Sequence, residues 1–184
     1  MKIKQTLKRI FLSLLVVIAI IAALISIEVL GGQPMGLFSG SRPDGLGFNN
    51  GQFKPPSWKP NTVSSTVEKS DVTHYLSPVS FTGDAKDAWK KFIGVVKSQP
   101  RATVITENGN YLYAEFKTPS MGFVDDVEAA LDAKASVIHV RSASRLGVRD
   151  FDANRKRIEI IRAACENEHV TNSRFHLCDF LVKP

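Results

Sequence analysis

The ionisable side chains that could act together crowd into one stretch, residues 122–157, which holds Asp125, Asp126, Glu128, His139, Arg141, Arg145, Asp150 and Arg155. Carboxylates, an imidazole and guanidinium groups on one surface suit two kinds of chemistry. An imidazole oriented by a carboxylate can act as a general base. Here His139 would be that base in a hydrolase-like site, with Asp125 or Asp126 orienting it. Arginine forks can instead grip an anion. Arg141, Arg145 and Arg155 would then contact the ligand, Asp126 and Glu128 would orient them, and Asn154 lies near enough to reach in. The same groups would also pair harmlessly across a solvated sheet face. No Ser or Cys sits in a nucleophile motif, and there is no glycine-rich phosphate loop after a strand.

For these groups to meet, strands must carry them. Phe123–Leu131 and Ser136–Ser144 read as two strands linked by Asp132-Ala-Lys134. Alternation puts Asp126 and Glu128 on one face and Asp125 and Val127 on the other, while His139, Arg141 and Arg145 share a face. Arg101–Glu107 and Tyr111–Lys117 flank Asn108-Gly109, a strong hairpin signal. A meander of these four strands is antiparallel, with a helix-covered apolar face and a polar face that adds Tyr113 and Glu115.

Two helices are expected to cover it. One opens at Thr82 or Asp84 as N-cap, presents Ala85, Trp89, Phe92 and Val96 on one face, and ends at Pro100. The other follows Asp150 or Asp152, with Ile158, Ile161 and Cys165 inward and Arg155, Lys156, Arg157 and Arg162 outward. His74–Phe81 is a short extended segment that Pro78 confines to an edge. The fold class is α+β: an antiparallel sheet of about four to five strands with two packed helices, preceded by one N-terminal transmembrane helix.

That leading helix is the run Ile10–Leu30, 21 residues with Glu28 as its one charge. About 20 apolar residues cross a bilayer. Lys2, Lys4, Lys8 and Arg9 flank it on one side, which places residues 1–9 in the cytoplasm and the C-terminal domain in the periplasm or outside. The run exceeds the 7–15 apolar residues of a cleaved signal and lacks an Ala-x-Ala site, although cleavage stays open. Of the formal +6, four charges lie in this tail and Glu28 cancels one, so the remainder carries only +3. That is too little for a basic nucleic-acid stripe. Residues 31–66 are rich in Gly, Pro, Ser and Asn, yet Leu37, Phe38, Leu46, Phe48, Phe53 and Trp58 are too apolar for a solvated tether. An arm lying on the domain, residues 67–184, fits better.

Cys165, His169, His176 and Cys178 form a string of soft ligands near the C-terminus. They could hold zinc, although the spacing matches no standard module. Outside the cytoplasm Cys165 and Cys178 could form a disulfide or stay as thiols. No cofactor is called for.

Gly122-Phe-Val-Asp-Asp-Val-Glu128, Val137-Ile-His-Val-Arg-Ser-Ala-Ser-Arg145-x-Gly147 and Asp150-Phe-x-x-Asn154-Arg-x-Arg157 closely resemble the DUF1499 family, a domain of unknown function. Arg42-Pro43, Pro60-Asn61-x-Val63-Ser64-Ser65, His74-Tyr75, Phe81-x-Gly83-Asp84 and Tyr111–Phe116 agree with it. The resemblance spans about residues 40–165. It implies a small α+β domain, exported or membrane-attached, with no assigned activity. Family members commonly carry two cysteines in the Pro-Asn segment; here Pro56 and Thr62 stand in those places, so a thiol pair there is absent. The expected function is a non-catalytic envelope binding or scaffold module in the cytoplasmic membrane. Its polar face would meet an anionic small molecule, a lipid or a partner protein; the alternative is the His139 hydrolase.

Overall fold

The computed structural model describes residues 2–31, 38–119 and 121–178, with side chains for residues 5, 6, 8–23, 38–119 and 121–166. Three helices and six strands follow in chain order: α1 (Lys2–Gly31), β1 (Thr62–Ser64), β2 (Val79–Ser80), α2 (Ala85–Ser98), β3 (Ala102–Asn108), β4 (Tyr111–Lys117), β5 (Val124–Asp132), β6 (Val137–Ser144) and α3 (Ala153–Cys178). The strands form one sheet in the order β1-β6-β5-β4-β3, and every pairing is antiparallel. β1 and β2 divide the remaining edge of β6 between them, pairing with residues 141–143 and 137–138.

The expected α+β meander of four strands is present, with boundaries within one residue of those read from alternation. The sheet has six strands rather than four to five. β2 lies within the expected edge segment His74–Phe81; β1, three residues long and too short to show a period, belongs to the stretch read as an arm.

One sheet face carries the core. Phe92 and Val96 of α2 and Ile158 and Ile161 of α3 pack on Leu112, Val127, Ala129, Ile138 and Val140, all essentially inaccessible. Asp84 is the N-cap of α2; its side chain accepts from the amides of Lys86 (2.8 Å) and Asp87 (3.1 Å). Trp89 donates Nε1–H to the Gly109 carbonyl at 2.8 Å, fixing the helix to the hairpin tip. The arginines expected on the outer face of α3 fold back instead. Arg155 donates to the carbonyls of Tyr75 and Thr73, and Arg162 to those of Pro78 and Ser77. These loop carbonyls have no strand partner, and charged donors satisfy them well.

The transmembrane helix expected over residues 10–30 is not supported as a structural finding. Among the described residues no helix is long and apolar enough to cross a membrane. The described side chains of α1 end at residue 23, so the last third of the apolar run lies outside them. The large apolar side chains from Ile10 to Ile21 are 46–63% exposed.

Candidate functional site

The sheet face turned away from the helices is the polar one, and register sets its order. One row across the strands is Tyr113, Glu128, Arg141 and Ser64; the next is Glu115, Asp126, Ala143 and Thr62. The sequence-derived cluster therefore assembles, but it does not face water. Residues 38–54 lie across it.

Two hubs result. In the first, Arg145 donates from Nε and Nη2 to Asp126, and from Nη2 to Glu115 and to the Tyr113 hydroxyl. The Tyr113 hydroxyl donates to Asp126 at 2.6 Å. Arg42 of the arm closes the hub with two hydrogen bonds to Glu115 Oε1, at 2.9 and 2.7 Å. In the second, Glu128 is completely buried. It accepts from Arg141 Nη1 (2.9 Å), the Tyr111 hydroxyl (2.8 Å) and the Gly47 amide of the arm (2.7 Å). Arg141 Nε reaches the Lys54 carbonyl, again in the arm, at 3.1 Å. Gly47 holds this amide at φ 136°, a backbone conformation that residues with a β-carbon rarely adopt.

The electrostatics follow from this packing. Burial raises the Glu115 carboxyl, but the hydrogen bonds from Arg42 and Arg145 and the Arg145 charge outweigh it and leave the group below its ordinary 4.5. Burial lowers Arg145, and Asp126 and Glu115 more than reverse this. Burial, then Asp126, push Tyr113 upward; burial, then Glu128, do the same to Tyr111. Both phenols stay protonated as donors. No buried polar side-chain atom among the described residues lacks a hydrogen-bond partner.

His139 stands apart from the carboxylates meant to orient it. Its Nδ1 contacts Ser65 Oγ at 3.2 Å and its ring stacks on Phe48 of the arm, centroids 5.5 Å apart. Burial depresses it below 6.5, partly opposed by Asp132. Its row partner on β5 is Ala130, four residues from Asp126 and so about 13 Å along the strand. Asp125 points to the opposite face, where Arg157 binds it. Arg157 also donates to Ser142 and Asn154, and Asn154 bonds Ser144, Asp150 and the Asn61 carbonyl. Thus Arg141, Arg145 and Glu128 come together, whereas Asn154 and Arg155 belong to the attachment of α3.

Cys165 is half-buried on α3; the side chains of His169, His176 and Cys178 lie outside the described residues. Among the described residues no group of three or more potential ligands is placed to hold a metal.

Sequence reasoning missed the arm's polar contributions from Arg42, Gly47 and Lys54, because two of the three act through backbone atoms. The aromatic content of the arm was the available signal: Phe48 packs on Phe53 at 4.8 Å and Phe38 on Phe123 at 5.1 Å. It also missed the pairing of His74 with Asp71 (2.7 Å) and with the Lys59 carbonyl (3.1 Å), which ties the 71–74 turn beneath β1.

The sequence profile described as "Protein of unknown function (DUF1499)" matches residues 52–165, more than half of the chain. The chain belongs to the DUF1499 family. The matched span covers β1 to the middle of α3, so the DUF1499 region contains Glu115, Asp126, Glu128, Arg141 and Arg145 but begins after Arg42 and Gly47. No curated protein and no solved structure matches the chain. Within the matched span Pro56 is half-buried, and Thr62 is buried in β1 opposite Ala143.

Proposed function

We propose that this DUF1499 protein is a non-catalytic, membrane-attached scaffold in which the polar sheet face fixes the arm that joins the domain to α1. The observation carrying this is charge balance. Three carboxylates (Glu115, Asp126, Glu128) meet three guanidiniums (Arg42, Arg141, Arg145), each hydrogen-bonded to at least one group of opposite charge. Such a face has no spare cation for an anionic ligand, and inserting one would strand a buried negative charge. The hydrolase alternative lacks its carboxylate: His139 is oriented by Ser65, and Asp126 is already occupied. Membrane attachment rests on the exposed apolar side chains of α1 from Ile10 to Ile21 and the cations Lys2, Lys4, Lys8 and Arg9 at the start of that helix. The domain would stand outside the cytoplasmic membrane, at a set distance and orientation, and offer its remaining surfaces to envelope partners.

Hydrogen exchange on the full chain in lipid nanodiscs tests it. The Gly47 amide should exchange as slowly as sheet amides, and Arg145→Ala should release residues 42–54 selectively. Open-chain exchange across the arm in the wild type would overturn the scaffold. So would an anion adduct in native mass spectrometry that disappears in Arg141→Ala.

A further inference from the structure

The sheet has two ends, and the chain arrives from α1 at one of them. Phe38 packs on Phe123, the residue before β5. A β-carbon at Gly40 would lie 3.0 Å from Arg145 Cβ and 3.1 Å from Leu146 Cγ, so the arm begins directly against the loop that follows β6. Six residues lie between Gly31 and Phe38, and the seven steps between these two residues reach at most about 25 Å. Whatever holds α1 therefore stays close to this end.

The same end collects exposed apolar side chains. Antiparallel pairing brings the end of β4, the start of β5 and the end of β6 together. From the loops between and after them project Met121 (44% exposed), Leu146 (40%), Val148 (47%) and Phe151 (87%). A phenylalanine so bare costs solvation. Phe151 and Asp152 also occupy consecutive left-handed conformations, φ 54° and 64°, which residues with a β-carbon disfavour. Exposed cations rim the group: Arg101, Lys117 and Arg149, with Asp152 as the exposed acid beside them.

We infer that this end of the domain is a membrane-contact surface, in which Leu146, Val148 and Phe151 enter the headgroup and acyl boundary of an anionic bilayer. Apolar side chains flanked by cations bind such interfaces by burying apolar area and by attracting anionic lipid. The short connection to α1 supplies the proximity, so modest intrinsic affinity suffices. The assignment depends on α1 lying in the same bilayer. The domain would then not swing on its tether but sit on the membrane, with the Gly109-Asn110 hairpin tip pointing away.

The test uses the full chain with both native cysteines replaced by serine, in nanodiscs of phosphatidylcholine and phosphatidylglycerol. Single cysteines from Phe151→Cys, Val148→Cys, Val72→Cys and Val16→Cys carry an environment-sensitive fluorophore. All but the last are exposed domain positions, so the fold tolerates them, and Val72 (83% exposed) serves as the aqueous reference. Labels at 148 and 151 should be quenched by lipid-borne nitroxide and protected several-fold from iodide relative to the label at 72. If they match the label at 72 while the label at 16 is lipid-quenched, the contact surface is overturned and the anchored helix survives. If the label at 16 is also aqueous, both fall. Protection from iodide without lipid quenching would mean a protein covers this end, and the lipid assignment fails.

Discussion

At the scale of single residues, Arg145 and Arg42 contact the same carboxylate from opposite situations. The Arg145 side chain is 6% exposed and that of Arg42 53%. Removing Arg145 leaves Asp126 and Glu115 buried without their main counter-charge, a loss on the order of 3–5 kcal/mol. Removing Arg42 breaks a bond half in water, where solvent screening leaves a much smaller loss. Urea denaturation of Arg145→Ala and Arg42→Ala should show this ordering; equal losses would mean that the arm, not the buried hub, carries the energy. Alternation alone placed Tyr113, Glu115, Asp126, Glu128, His139, Arg141 and Arg145 on one face, because a strand's period of two depends on nothing distant. It could not show what covers that face. Whether a polar row meets water, ligand or its own chain is decided by residues about 80 positions away.

At the scale of elements, α2 was legible because its start, face and stop are all local. Asp84→Ala removes the acceptor for two orphan amides and should cost about 1 kcal/mol, read as a lowered thermal midpoint with an unchanged far-ultraviolet spectrum. The hairpin was legible for the same reason, although its two-residue turn is Gly109-Asn110, with Asn108 still paired to Tyr111 and Gly109 at φ 53°. β1 was not, since a strand of three residues exists only through β6, whereas β2 lies in the segment that Pro78 marked as an edge. The outward arginines of α3 were misplaced on similar grounds. A helical wheel shows which side faces out, but Arg155 and Arg162 have reach enough to bend back to the carbonyls of residues 73–78.

At the scale of the whole molecule, two sheet groups that the arm touches, Glu115 and His139, respond to acid in the same direction. Glu115 titrates below its ordinary value in the fold, so its contribution is complete above about pH 4.5 and is lost as pH falls through the lower folded value. His139 is also depressed, so the unfolded chain takes up its proton first, and stability declines as pH falls from about 6.5. Urea midpoints should therefore drop in two stages on acidification, and His139→Phe should remove the upper stage while retaining a ring against Phe48. The arm's bonds to Glu115, Glu128 and Arg141 span 73, 81 and 87 residues. During synthesis the arm is made first and its receptor last. At about 5–20 residues per second, Arg42, Gly47 and Phe48 wait roughly 4–20 s before β6 exists to receive them. Through that interval the nascent chain exposes an unpaired aromatic segment just behind its apolar helix. The polar face closes only when its last strand is delivered, which makes the arm the segment that waits longest for its partners during synthesis.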